Sequence, residues 1–195
     1  MKDPIALMSA QWLAGAFDAD VIVLIRHPAA FVSSLLRLDW TFPFKDLLGQ
    51  RRLMETLLTP YAAEIQHYAE SDQSIIDQAC LLWKIFHHVI YHYKTQHPNW
   101  KVVRMEDLAS DPVAKFGRLY THVGLEYTSY CKSVVQAHSL PSNPGEVSTD
   151  QAGATKRDSR AVIRRWKKRL SNSQIQQICR LTADVPNIFY GEEDW

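Results

Sequence analysis

Cysteine is scarce in this 195-residue sequence, and its three cysteines lie far apart along the chain. They form neither a CxxC pair nor a cysteine–histidine spacing typical of a metal site, so we expect reduced thiols in a reducing compartment. No stretch approaches the roughly eighteen consecutive apolar residues of a membrane helix. The first residues contain an acid, a proline and only broken apolar runs, unlike a signal peptide. These absences predict a cytoplasmic protein without a membrane span.

Motifs of several enzyme classes are missing as well. There is no HExxH zinc-protease motif and no GxSxG nucleophile elbow. His88 and His92 are four residues apart on a predicted helix, a spacing able to hold a metal ion. Because the sequence suggests no third ligand, we expect these histidines to form a helix-surface or core pair.

The chain has 22 basic and 21 acidic residues, so its positive and negative charges nearly balance. This balance excludes a protein that binds polyanions over its whole surface. One segment departs from this balance: residues 156–169, KRDSRAVIRRWKKR, carry eight basic residues and one acid. Most of this segment is expected to be a solvated helix face, with Trp166 as a core anchor; the residues expected in solvent are Arg164, Arg165, Lys167, Lys168 and Arg169. An alternative is a polyanion-binding module whose affinity for nucleic acid or heparin falls with salt.

Two short apolar runs, 21–25 and 100–105, alternate with helical patterns, which predicts an α/β fold with a parallel sheet and flanking helices in a single domain over 1–195. Helices are expected from Pro28, over about 48–70, over about 74–97, and from Asp111 with Pro112 at its first position. Gly124 is expected to close that last helix, and SNSQ at 171–174 is expected to form a capping box.

Charged residues follow both predicted strands: Arg26 with His27 after the first, and Glu106 with Asp107 after the second. Ligands of open parallel sheets bind beyond the carboxyl ends of the strands, and an arginine beside a helix N-terminus suits a phosphate. A phosphate lying along that helix would also reach Ser34. In the alternative interpretation, Arg26 caps neighbouring carbonyls and the serines merely permit close packing.

IRHPAAFVSSLLRL, residues 25–38, resembles the 3′-phosphate-binding segment of the sulfotransferase family, whose members use 3′-phosphoadenosine 5′-phosphosulfate (PAPS). Two later stretches, VVRMEDLASDP and KRDSRAVIRRWKKRLSNSQIQQI, are similar to the family's strand–turn–helix and to its closing C-terminal segment. The resemblance covers essentially the whole chain. It implies a nucleotide-kinase-like (P-loop) fold, PAPS as co-substrate, no metal, and transfer of a sulfuryl group to a hydroxyl or amine of a carbohydrate or small molecule.

The resemblance also implies roles for particular residues. Arg26 and Ser34 would hold the 3′-phosphate. Lys2 aligns with a family lysine near the transferring group, and Asp3 beside it is the implied base. The closing segment would contribute a further cation to the phosphate, and three candidates for it stay open: Lys156, Arg157 and Arg160. Met105 stands where the family often has an aromatic residue near the adenine.

The largest departure from the family is the lack of a glycine-rich 5′-phosphosulfate loop before Arg26. The chain is therefore expected to be a partial, N-terminally truncated domain with an exposed sheet edge, covered by a second copy or a partner chain. No nucleic acid or membrane partner is expected. The alternative function is a non-catalytic 3′-phosphoadenosine-binding or interaction remnant. The acceptor would be chosen by loops at 39–50 and 140–155, whose composition names no substrate.

Overall fold

A two-stranded parallel sheet lies against a helical layer in the computed structural model, which describes residues 6–146, 155–185 and 188–195. The strands are β1 (Ile22–Ile25) and β2 (Lys101–Arg104). The first six helices are α1 (Ala10–Phe17), α2 (Pro28–Arg37), α3 (Lys45–Leu48), α4 (Arg51–Glu55), α5 (Ala62–Glu70) and α6 (Ile75–Gln96). They are followed by α7 (Met105–Ser110), α8 (Pro112–His122), α9 (Ser129–Ser139), α10 (Ser159–Ile163), α11 (Trp166–Arg169) and α12 (Asn172–Thr182). The chain is thus α/β and rich in helix, as the alternating pattern predicts.

The parallel pairing of the strands is confirmed. Ile22 lies opposite Lys101 and Ile25 opposite Arg104. Because the strands are parallel and in this register, the segments that follow them, which begin at Arg26 and Met105, emerge at the same edge of the sheet. This edge is where a ligand of an open α/β sheet is expected.

Helix α6 forms the centre of the structure. Its Ile85 and Val89 are fully buried, and its Trp83 and Ile90 pack in one cluster with Ile25 of β1. Helices α2 and α12 both pack against α6. Ser74 begins α6 by accepting a hydrogen bond from the backbone N–H of Asp77, as expected of an N-cap serine. The long helix therefore fixes both β1 and α2 from one side.

Several predicted helix ends are confirmed. Asp111 caps α8 by accepting from the N–H of Ala114, with Pro112 at the first helical position. Gly124 ends that region with a φ of 66°, in the left-handed range that favours glycine. Ser171 and Gln174 form the capping box of α12.

A continuous helix over 48–70 is wrong. This stretch is divided into the end of α3, helix α4, a 3₁₀ turn at Thr59–Tyr61, and α5. Pro60 lies in the turn and has no backbone N–H to donate to the preceding turn of a helix. The apolar spacing in this stretch comes from several short helices, each of which buries part of its own surface.

Strand β1 is less buried than a central strand should be. Ile25 is 3% exposed, whereas Ile22 is 38% and Leu24 is 54% exposed. Since alternate side chains of a strand point to opposite faces, one face of β1 packs on α6 and the other lies largely open in the described structure. That a second copy or a partner chain covers an exposed part of the sheet stays a prediction.

Candidate functional site

The turn that follows β1 is held by three hydrogen bonds from distant parts of the chain. Trp83 Nε1 donates to the backbone oxygen of Arg26 at 2.9 Å, and the N–H of His27 donates to Glu106 Oε1 at 3.0 Å. The phenol of Tyr190 donates to the other oxygen of Glu106 at 2.8 Å. Both Glu106 oxygens are therefore engaged in holding the turn, which positions Arg26 at the sheet edge.

His27 caps helix α2 immediately after Arg26. Its Nδ1 accepts a hydrogen bond from the N–H of Ala29 at 3.2 Å, so the neutral ring carries its proton on Nε2. Burial lowers the pKa of His27 to about 4; the charge of Asp194 opposes this shift and those of Arg104 and Lys167 add to it. A neutral His27 leaves the positive charge of this turn on Arg26.

The Arg26 guanidinium is half-buried and lies among like charges. Burial lowers its pKa, the charge of Glu106 opposes this effect, and the charges of Arg169 and Arg165 lower the pKa further. Across the described residues, Arg26 neither forms an ion pair nor donates from its side chain to a backbone carbonyl. The alternative in which Arg26 caps carbonyls therefore finds no contact in this structure.

The charges of Arg165 and Arg169 act on Arg26, and those of Arg157 and Arg37 act on Arg165. We call these five residues together the arginine cluster: Arg26, Arg37, Arg157, Arg165 and Arg169. Burial lowers the pKa of Arg165 and its neighbour Arg169 lowers it further; the charge of Glu146 opposes this shift, and those of Arg157 and Arg37 add to it. One Arg165 guanidinium nitrogen, Nη2, is buried without a hydrogen-bond partner in the described structure.

Glu146 is an acid that contacts this cluster. It pairs with Arg169, whose side chain is 22% exposed, and lies 3.9 Å from Arg37 Nε. One carboxylate thus faces two arginines, with a third, Arg165, close enough to feel its charge. The cluster keeps an excess of positive charge of the kind that binds a multivalent anion such as phosphate.

Two serine hydroxyls lie on α2 within one turn of Arg37. Ser34, predicted to bind the phosphate, is half-buried and three residues before Arg37, so the two share a helix face. Ser33 is 3% exposed and its hydroxyl is buried without a hydrogen-bond partner in the described residues. Of these two serines, Ser34 is therefore the more accessible to a ligand.

The closing segment covers Arg26. Helix α10 packs on α7, and Val162 and Ile163 of α10 line a small, partly open cleft together with Arg26, Met105 and Glu106. The volume of the cleft is about 10 Å³, room for about one water molecule. The cleft is therefore too small for an adenine or ribose ring.

Of the three open candidates in the closing segment, Arg157 is the one that belongs to the arginine cluster. Its charge acts on Arg165, and its backbone N–H is fixed by the carbonyl of His138 at 3.0 Å. Lys156 and Arg160 are exposed. Arg26 precedes α2, Ser34 lies on α2, and Arg157 is half-buried, whereas Lys156 and Arg160 lie in solvent. Lys2 and Asp3 lie outside the described residues.

The expectation of a solvated basic face is correct for three residues of the segment: Arg164, Lys167 and Lys168 are exposed. It is wrong for Arg165 and Arg169, which are partly buried in the arginine cluster. Trp166 is 3% exposed and packs in the core, as expected of an anchor. By inserting into the core, Trp166 holds the residues on either side of it against α2.

Comparison of the chain with protein-family models, with curated proteins and with solved structures gives no match.

The residues that sequence reasoning missed are Arg37, Arg165 and Arg169, with Glu146 as the acid between two of them. Arg37 lies in the same segment as Arg26 and Ser34, three residues after Ser34. This spacing was the signal in the sequence that could have identified Arg37. No comparable signal marks Glu146, because its contacts to Arg37 and Arg169 join positions more than twenty residues apart.

Histidines and long helices give no further site in the described part of the chain. His88 is half-buried with its ring against Tyr61, and burial lowers its pKa, while His92 is exposed. Among residues 6–146, 155–185 and 188–195, no three His, Cys, Asp or Glu side chains are placed to hold a metal ion. The same residues include no helix with the length and apolarity needed to span a membrane.

Proposed function

We propose that the arginine cluster binds the 3′-phosphate of a 3′-phosphoadenosine nucleotide, and that the chain is a PAPS-dependent sulfotransferase of nucleotide-kinase-like fold. The observation that carries this proposal is the convergence of Arg26, Arg165 and Arg169. They come from the strand end and the closing segment, the two parts that the resemblance assigns to the phosphate. Each guanidinium raises the cost of burying the others, and a bound anion would offset that cost.

The geometry supports a particular arrangement of the phosphate. Arg26 would bind it from the end of β1, Ser34 from the side of α2, and Arg165 with Arg169 from the closing segment. The unpaired Nη2 of Arg165 is a donor that a phosphate oxygen would satisfy. Arg157 is the closing-segment cation of the original three that best fits this arrangement.

The proposed reaction transfers a sulfuryl group to a hydroxyl or amine of a carbohydrate or small molecule. The acceptor oxygen or nitrogen attacks sulfur, the bond from sulfur to the 5′-phosphate oxygen breaks, and the acceptor proton passes to a base. The leaving group is adenosine 3′,5′-bisphosphate, whose negative charge needs neighbouring cations. Lys2 as that cation and Asp3 as the base stay predictions.

Calorimetric titration with adenosine 3′,5′-bisphosphate tests the nucleotide site. Wild-type protein is expected to bind it in the micromolar range, and Arg26→Ala is expected to weaken binding about 10- to 100-fold through loss of a charged hydrogen-bonding partner. Arg164→Ala is the matched control, because Arg164 is an exposed arginine of the same segment. A folded wild-type chain that does not bind the bisphosphate would overturn the proposal.

A second candidate function is a protein that binds 3′-phosphoadenosine nucleotides without transferring sulfate. The dispersed glycines, which form no phosphosulfate loop before Arg26, favour it. A single-turnover assay with radiolabelled PAPS and a mixture of amine and hydroxyl acceptors separates the two. Transfer of label excludes the second candidate, whereas bisphosphate binding with no transfer to any acceptor favours it.

A further inference from the structure

A second, larger cavity lies beside β2, away from the arginine cluster. Its volume is about 540 Å³, within the range of small-molecule sites, and none of the five clustered arginines lines it. Its walls come from the end of α6, from β2, from Asp107 of α7 and His122 at the end of α8, and from the segment after residue 187. We call it the basic–aromatic groove after six lining residues: Lys94, Trp100, Lys101, Arg104, His122 and Phe189.

Positive charge dominates the groove. Three permanently charged cations, Lys94, Lys101 and Arg104, line it together with one acid, Asp107. Lys94 and Lys101 form no ion pair with any residue of the described ranges. Their ammonium groups are therefore available to an anion.

Arg104 is the third cation of the groove, and its guanidinium is fixed in place. Its Nη2 pairs with Asp194 and its guanidinium carbon lies 4.5 Å from the centre of the Tyr190 ring. Its Nε is nevertheless buried without a partner in the described structure. The ion pair and the ring fix the guanidinium plane, so the remaining N–H has a defined direction.

The apolar walls of the groove are rigid. Trp100 is 7% and Phe189 is 5% exposed, so each presents only an edge to the cavity while its body packs in the core. Trp100 stacks on His97 with ring centroids 4.4 Å apart, and Lys94 Nζ lies 5.8 Å from the centre of the Phe189 ring. Fixed aromatic surfaces beside unpaired cations suit a flat apolar group that carries a negative charge.

We propose that the basic–aromatic groove binds a small molecule consisting of a flat apolar body with an anionic group. The anion contacts Lys94 and Lys101, and the apolar body lies against Trp100, Phe189 and the neighbouring Ile188. The proposal does not depend on the proposed nucleotide site, because the two sites share no cation. A groove used in this way gives the protein a second ligand with its own specificity.

Two probes of the same shape and different charge test the proposal: naphthalene-2-carboxylate and the neutral naphthalene-2-carboxamide. Binding is followed by NMR at low ionic strength through the indole N–H signals of the six tryptophans, with Trp100 assigned from a Trp100→Phe variant. The carboxylate is expected to shift the Trp100 signal and to bind about tenfold more tightly than the amide.

The double variant Lys94→Gln with Lys101→Gln is expected to weaken carboxylate binding about tenfold and to leave amide binding unchanged. Both lysines are exposed, so the fold should persist, and Lys132→Gln with Lys168→Gln removes the same charge from exposed positions outside the groove. Arg26→Ala should leave carboxylate binding unchanged, which separates this groove from the nucleotide site. The proposal is overturned if carboxylate and amide bind equally, if the Lys94/Lys101 variant binds as wild type, or if the Trp100 signal does not move.

Discussion

His27 and Trp166 stack almost in parallel, with ring centroids 4.9 Å apart and planes 6° apart. The contact joins the start of α2 to the middle of the basic segment, residues far apart in the chain. Trp195 and Tyr190 approach the same imidazole edge-on, at 4.7 and 5.3 Å between ring centroids. Helix α2 and the closing segment are thereby held together beside Arg26 by a neutral aromatic ring.

Loss of stability on mild acidification follows from this burial. His87, whose ring nitrogen lies 2.8 Å from the Trp83 carbonyl oxygen, has its pKa lowered to about 4 by burial, as does His27. Each imidazole has an ordinary pKa near 6.5, so the unfolded chain takes up protons below that value while the folded chain does not. The stability that these histidines contribute is fully present above about pH 6.5 and is lost as pH falls toward 4.

The expected loss is about 3 kcal/mol for each histidine over that interval. Urea unfolding measured from pH 7.5 to 4.5 checks it. His27→Gln and His87→Gln, taken singly, should each lower the slope of the unfolding free energy against pH by about half. If wild-type stability stays level from pH 7 to 5, the two rings take up protons in the folded protein over the same pH range as in the unfolded chain.

Removal of the Trp166 side chain is expected to cost about 3–5 kcal/mol of unfolding free energy, because the residue is 3% exposed and leaves a cavity against His27 and the core. Trp12→Ala is the matched control: Trp12 is 68% exposed, and its loss should change stability by less than about 0.5 kcal/mol. Denaturant melts of both variants measure the difference. Similar stabilities for the two would mean that the basic segment does not anchor the fold.

Neutralising Glu146 is expected to strengthen anion binding. Glu146→Gln removes the carboxylate that pairs with Arg169 and lies near Arg37, so a phosphate no longer competes with it. Affinity for adenosine 3′,5′-bisphosphate should rise about 3- to 10-fold at low salt. The calorimetric titration described above measures this change.

Glu55→Gln provides the comparison for that experiment, because the one ion pair of Glu55 in the described part of the chain is with Arg51, whose side chain is 88% exposed on α4. It should leave bisphosphate affinity unchanged. An affinity that falls or stays constant in Glu146→Gln would show that the phosphate does not bind at Arg37 and Arg169.

Local signals determined much of the secondary structure. The caps at Ser74 and Asp111, the left-handed Gly124 and the Ser171 capping box were predictable because each depends on side chains within a few residues of a helix end. The single helix over 48–70 was wrongly predicted because apolar spacing does not show where short helices change direction.

The residues of the candidate site also fall into two groups, those that a local motif indicates and those that depend on packing. Arg26 and Ser34 belong to one short motif, so the sequence alone indicates them and orders them along a strand and a helix. Arg165 and Arg169 were assigned to solvent because a run of basic residues usually faces water. Their partial burial comes from Trp166, whose insertion into the core turns its neighbours toward α2 and Glu146.

The sequence by itself determined an α/β chain with parallel strands, a positive charge at the end of β1 and a concentrated basic segment, since these follow from residue types at short range. Only the tertiary structure decided which basic residues meet, that Glu146 lies between two of them, and that Val162 and Ile163 lie against Arg26. It also placed Lys94, Lys101 and Arg104 around one groove. The physical reason is that charge clustering and burial depend on which distant segments pack together, and local periodicity carries no record of that packing.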